Sequence, residues 1–366
     1  MKKVLFIAPL DSKGRFVGGV YSYAKSILDS SFFVEQGIDF HGLSTCLVNR
    51  GAFSGGQFKF ENIINFFKLK KKINQTLKNN QFDLIYINSS RKYALLKDLL
   101  LFKRKHLKKH KLILHIHFAD IDNVLPNNRF IKKLTLGLIK KKVTKLIVLS
   151  SELKKAFESN GVKEDRISVL YNYYDSKLPS VSPSFLDKKN NTRILKFIFM
   201  GSITKRKGIH DILDVFSSSK TKNVELLVCG EPNNKEGFEL VKEYSKFENI
   251  FFKGYADWDA KISAYLEANV FILPSYAEGL PISILEALHF GLPVISTPVG
   301  AIKEIIEKQN GILINPGDRK GLLNAIQQYK NNPNLLREQS INNLSYSKKF
   351  DFETFSMKLV GILNQI

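Results

Sequence analysis

The chain has 366 residues, more than one hydrophobic core usually serves, so two domains are expected. Its formal net charge of +22 is lopsided: residues 1–170 carry an excess of +19 and residues 171–366 one of +3, which turns the first half toward a polyanionic surface. No run reaches the ~18 apolar residues of a membrane span, the first apolar run (4–10) is too short for a signal peptide, and Cys46, Cys229 and the histidines form no disulfide framework or metal spacing.

Apolar strand-like runs alternate with helical patterns, which argues for parallel α/β sheets. In the first half, strands read at 3–9, 40–48, 82–88, 111–118, 145–149 and 167–171, with helices at 20–28, 61–77, 92–107, 130–142 and 151–158. Residues 49–58 are Gly-rich and read as a loop. Residues 175–192, with Pro179 and Pro183 and no periodicity, read as a linker. Alternation resumes with strands at 194–200, 224–229, 250–253, 270–273, 294–297 and 312–314, and helices starting near Ile209, Gly237, Trp258, Pro281, Ile302 and Arg319.

The most informative block is Pro274-Ser275-Tyr276-Ala277-Glu278-Gly279-Leu280-Pro281, followed by Glu286 inside a helix and by Gly291-Leu292-Pro293-Val294. A strand runs into a Pro/Gly-punctuated loop that opens a helix, and a helix N-terminus at a sheet edge favours an anion such as a nucleotide diphosphate. The two glutamates, eight apart, can accept hydrogen bonds from sugar or ribose hydroxyls. Two further features fit such a site. Gly18-Gly19 opens the first helix, where backbone N–H groups can approach a phosphate closely, although the dinucleotide fingerprint G-x-G-x-x-G is absent. Lys205-Arg206-Lys207-Gly208 puts cations before a Gly-opened helix, a suitable diphosphate clamp. His115 and His117 lie two apart on a strand, hence on one face, with His117 at the C-terminal edge where open α/β sheets form their sites.

The block Glu278-x7-Glu286 in its Pro-Ser-x3-Glu-Gly-x-Pro context resembles the donor-site signature of the family-4 retaining glycosyltransferases. The resemblance implies the GT-B fold: two Rossmann-like, doubly wound parallel-sheet domains facing a cleft. It implies an acceptor domain over 1–175, rejoined by a C-terminal helix at 350–366, and a donor domain over 176–349. It also implies catalytic roles for His117, Glu278 and Lys207, and donor contacts from Gly18, Gly19, Arg206, Lys207, Gly230, Gly279, Leu280, Pro281 and Glu286. The usual Arg after the first Gly of the Gly-Arg-…-Lys-Gly motif is Ser202 here, so Arg206 is the candidate for the missing guanidinium.

Implied with these are a nucleotide-diphosphate sugar as donor, a glycan or lipid-linked acceptor, and no cofactor or obligatory metal. The expected activity is retaining sugar transfer in surface-polysaccharide synthesis. Basic runs interleaved with apolar residues (66–72, 103–111, 132–142) are either solvated helix faces or a cationic amphipathic surface for anionic lipid. The expected location is cytoplasmic, peripheral at the inner face of the plasma membrane, with no nucleic-acid partner. A GT-B-type nucleotide-sugar epimerase, or a non-catalytic basic protein binding nucleic acid or membrane, are the alternatives.

Overall fold

The computed structural model describes residues 1–10, 19–45, 60–89, 91–221 and 223–366. Cys46 and the Gly-rich stretch at 49–58 lie outside them. The chain forms two compact units, one of residues 1–172 with 355–366 and the other of residues 173–354.

The first unit holds a six-stranded parallel sheet of β1 (Lys2–Ala8), β2 (Ile38–Ser44), β3 (Leu84–Ser89), β4 (Lys111–Ile116), β5 (Lys145–Val148) and β6 (Ile167–Val169), ordered β2-β1-β3-β4-β5-β6. β3 is buried along its whole length and β4 beyond its first residue, so these strands read as continuous apolar runs rather than alternations. Leu5, Ile7, Ile85, Ile87, Leu112 and Leu114 anchor the core, each stabilising by about 1.5–3 kcal/mol when fully buried. The helix Phe352–Asn364 adds Phe355, Leu359 and Leu363 to this unit. Lys2 Nζ donates to the Leu363 carbonyl at 2.8 Å.

The apolar run at 92–107 is two helices, Tyr93–Leu100 and Arg104–Lys109, rather than one. Leu101 and Phe102 are fully buried between them and carry the chain inward. Lys142 Nζ donates to the carbonyls of Leu99 and Phe102 at 2.8 and 2.9 Å, satisfying acceptors that the helix end leaves open. Lys142 is therefore not part of the basic surface that its sequence neighbours suggest.

The second unit repeats the architecture with β7 (Leu195–Met200), β8 (Val224–Cys229), β9 (Ile250–Gly254), β10 (Val270–Leu273), β11 (Val294–Ser296) and β12 (Gly311–Leu313), ordered β12-β11-β10-β7-β8-β9, all parallel. The chain winds outward from β7 through β8 to β9, then returns to β10 on β7's other side. The topological switch point thus lies between β7 and β10, where crevices open beyond the strands' carboxyl ends.

The stretch 175–192 is not structureless. Ser182 Oγ accepts the Phe185 N–H (3.2 Å), Pro183 occupies the first turn, and a helix spans Pro183–Asn190 with Leu186 buried. The signal was present as an N-cap serine followed by proline; polar residues masked the period. The helix Pro333–Tyr346 hid similarly, because Gln339, Ser340 and Asn343 share its buried face with Leu336.

Candidate active site

In the second unit the loops after β7 and β10 meet at the switch point. Gly208 has φ +71°, and a Cβ there would overlap the Pro274 carbonyl, so a glycine is needed for the two loops to touch. The Tyr276 N–H donates to the Arg206 carbonyl (2.8 Å), and Arg206 Nη1 donates to the Ala277 carbonyl (2.7 Å). Around this contact three donors converge on Glu278 Oε1: Lys207 Nζ at 2.7 Å, Ser275 Oγ at 3.0 Å and Arg206 Nη1 at 3.1 Å. Glu278 is buried, Lys207 nearly so, and Arg206 half exposed. Charge-assisted bonds of this kind are about twice as strong as neutral ones. Among the described residues the other carboxylate oxygen of Glu278 has no hydrogen-bond partner.

Behind the loop, Pro281 starts the helix Ile282–His289 without any side-chain cap, so its first-turn N–H groups keep their attraction for an anion. Gly279 accepts the Ala301 N–H (2.9 Å), and Leu280 is buried. Gly230, just past β8, donates to the Gly254 carbonyl (2.7 Å), and a Cβ on it would overlap the Gly201 carbonyl. Glu286, one turn into the helix, is also buried. Its Oε1 accepts from Lys261 Nζ at 2.6 Å and its Oε2 from Tyr265 OH at 2.9 Å. Burial, then Glu286's charge, raises the Tyr265 pKa well above the ordinary tyrosine range.

In the first unit His117 lies just beyond β4, its N–H donating to the Ser89 carbonyl (3.2 Å). Its ring stacks on His115 with centroids 4.2 Å apart and meets the edge of Tyr23 at 4.7 Å. His115 Nδ1 lies 2.7 Å from Tyr86 OH and 3.1 Å from Tyr23 OH. Burial pushes the His117 pKa down to about 3, against a smaller upward pull from the Asn172 hydrogen bond; burial also holds His115 well below the ordinary range. Both imidazoles are neutral at physiological pH. Gly19 is the first residue of the helix Gly19–Leu28, which carries Tyr23; Gly18 lies outside the described residues.

The second unit therefore brings Arg206, Lys207, Glu278, Gly279, Leu280 and Pro281 together at one switch point, with Glu286 one turn further. His117 and Gly19 belong to the first unit. Among the described residues no group of three or more His, Cys, Asp or Glu side chains is placed to hold a metal ion. Asp120 caps the short helix Ile121–Val124 by accepting the Asp122 N–H (2.9 Å).

Residues 185–345 match the family model of the glycosyl transferases group 1. A protein of the cps region of Klebsiella pneumoniae is 26% identical over 73% of this chain and 75% of its own length. The capsular polysaccharide biosynthesis glycosyltransferase CapM of Staphylococcus aureus is 30% identical over 52% of this chain; the match spans about half of that relative, 53%. Among solved structures, sucrose-phosphate synthase from Thermosynechococcus elongatus superposes with a TM-score of 0.76 over 100% of this chain and 99% of that one, at 18% identity.

The chain has the GT-B fold. Anabaena HepE, solved with UDP and glucose, shares it at a TM-score of 0.70 and 19% identity over the full length of both chains.

Within this GT-B chain, sequence reasoning missed the residues that fasten the loops. Lys261 and Tyr265 sit one turn apart on the helix Trp258–Glu267, an i,i+4 pair that the sequence offered but whose target it could not show. Asp211, buried on the helix Ile209–Phe216, accepts from Tyr276 OH at 2.8 Å and from Arg319 Nε at 2.8 Å. It thereby ties the Glu278 loop to the helix after the cation cluster.

Proposed function

We propose that the protein is a retaining glycosyltransferase that moves a sugar from a nucleotide-diphosphate sugar to a glycan or lipid-linked precursor of a surface polysaccharide. The observation that carries this reading is the convergence of Lys207, Arg206 and Ser275 on Glu278 beside an uncapped helix N-terminus at the β7/β10 switch point. The match to the glycosyl transferases group 1 model, the capsular role in CapM's name and the UDP held by HepE support it.

In this reading the helix N-terminus and the Lys207–Arg206 pair meet the diphosphate, with no obligatory metal. Glu286 accepts from the ribose hydroxyls, and Glu278 uses its open oxygen for a hydroxyl of the transferred sugar. The acceptor hydroxyl attacks the anomeric carbon on the face from which the diphosphate departs, and a leaving phosphate oxygen takes its proton. The chain's task is positioning and stabilisation of the charge that builds on the diphosphate. His117, neutral, orients the sugar.

The first unit is the acceptor side and rests against an anionic membrane surface at the cytoplasmic face. Its helix Phe60–Asn79 exposes Phe67 (62%) beside Lys70, Lys71 and Lys78, which with Lys103 and Lys105 line a groove of about 570 Å³. The helix Arg129–Lys142 exposes Phe130 (76%) and Leu134 beside Lys133 and Lys141. Exposed aromatics set among lysines suit a lipid interface. No helix among the described residues is long and apolar enough to cross a membrane.

A screen of nucleotide sugars for thermal stabilisation, followed by NMR of the product's anomeric centre, tests the reading. Stabilisation by a nucleotide sugar and product of unchanged anomeric configuration are expected. Inversion would remove the retaining mechanism, and no stabilisation by any nucleotide sugar would remove the activity.

A further inference from the structure

Asn88 is the residue in the first unit with the least local explanation. It stands next to last on β3 and is 4% exposed, yet both its Oδ1 and its Nδ2 are buried without a hydrogen-bond partner among the described residues. Leaving a buried amide unmet is costly, and most buried polar groups are satisfied. Position gives it a purpose. β3 pairs with β1 on one side and β4 on the other, and β1 also pairs with β2, so the winding reverses between β1 and β3. Asn88 is at the carboxyl end of this second switch point, where open α/β sheets receive ligands.

Its neighbours on the same face are polar as well. Tyr86, two residues earlier, shares Asn88's side of the sheet. His115 is Asn88's register partner on β4, and His117 stacks on His115. The Nε2 atoms of His115 and His117 are likewise buried without a partner among the described residues. His115 is fixed from its other nitrogen by Tyr86 and Tyr23. One face thus presents an amide able to donate and accept, together with the open nitrogens of two neutral imidazoles. A hydroxyl group, which both donates and accepts, answers that set; a carboxylate or phosphate, which only accepts, would leave Asn88 Oδ1 unmet.

We propose that Asn88, with His117, forms a subsite for a saccharide hydroxyl. The inference rests on the glycosyltransferase reading above and adds a substrate-contacting residue to it. The hydroxyl belongs either to the transferred sugar or to the acceptor saccharide.

The test uses the full chain and two variants, Asn88→Ala and the volume-matched Asn88→Leu. Affinity is measured by calorimetry for UDP, for UDP-glucose, UDP-galactose and UDP-N-acetylglucosamine, and for the free methyl glycosides of the same sugars. Without ligand, Asn88→Leu should melt above wild type, because an unmet amide is replaced by apolar volume. Both variants should bind UDP as wild type does and lose about tenfold in saccharide-dependent affinity, the worth of one hydrogen bond. Loss confined to the excess of a UDP-sugar over UDP assigns the hydroxyl to the transferred sugar; loss confined to the glycosides assigns it to the acceptor. Unchanged saccharide affinity in both variants overturns the subsite while leaving the glycosyltransferase reading intact. A wild-type chain that binds no nucleotide and no sugar overturns both.

Discussion

Lys207 Nζ sits 2.7 Å from Glu278 Oε1, joining the turn after β7 to the turn after β10 across a switch point that 70 residues of intervening chain create. The pair is both part of the proposed donor site and a clasp that keeps the site's two loops together. Its removal should act on both counts. Lys207→Met should lower kcat/KM strongly and cost about 1–3 kcal/mol of stability, since a buried carboxylate loses its best partner. Lys205→Met should change little. Urea unfolding beside donor kinetics separates the two effects, and equal stability of Lys207→Met and wild type would refute the clasp.

Arg206 lies on the same carboxylate from a half-exposed position and also holds the Ala277 carbonyl. Arg206→Ala should cost about 1 kcal/mol of stability. A loss in kcat larger than the loss in donor affinity would mark it as the guanidinium that Ser202 does not supply.

Glu286 is held by Lys261 and Tyr265. Glu286→Gln should weaken nucleotide binding by about tenfold. Lys261→Met should be the more destabilising change, because it strands a buried charge. Calorimetry with UDP, run beside thermal melts of both variants, checks the order; a Lys261→Met melt equal to wild type would contradict it.

The two stacked histidines tie stability to acid. Their folded pKa values lie below the unfolded ~6.5, His117 at about 3, so the unfolded chain binds more protons and stability rises with pH. Their contribution is complete above pH ~6.5 and is lost as pH falls from there toward 3. Each group adds a slope of up to ~1.4 kcal/mol per pH unit in that window. Denaturant titrations at pH 7.5, 6 and 5 should show the decline, and His117→Gln should flatten it.

Vesicle co-sedimentation should rise with anionic lipid and fall with salt. Phe130→Ser with Lys133→Glu and Lys141→Glu should release the protein while UDP binding stays unchanged; equal binding to neutral and anionic vesicles would remove the electrostatic role of these lysines and leave them as solvated surface. Lys142 must be spared, since its ammonium closes the end of the Tyr93–Leu100 helix, and Lys142→Glu would destabilise the fold.

The strands and their parallel class could be read from the alternation of apolar runs because parallel strands are buried on both faces, but their order in each sheet could not. The Pro274–Pro281 loop could be read because its prolines and glycines encode a turn before a helix. What eluded sequence was pairing at a distance. Along the chain Lys261 and Glu286 are separated by a strand and a turn, Asp211 and Tyr276 by three strands, and no local period records either contact. Asn88 escaped for another reason: a polar residue at a strand end reads as solvated, and only its burial without partners among the described residues marks it.

The first unit is assembled from two stretches, 1–172 and 355–366, that flank the second in the chain, and this sets the order in which it can be completed on the ribosome. Lys2 and Tyr23 precede the second unit in the chain, while their partners Leu363 and Phe355 follow it and are made only after residues 173–354. At ~5–20 residues per second, the stretch 173–354 takes on the order of 10–40 s to translate. The second unit can therefore finish folding while the face around Tyr23 still waits for its covering helix. In that interval the nascent first sheet lacks the cover of Phe355, Leu359 and Leu363 and carries an open apolar patch.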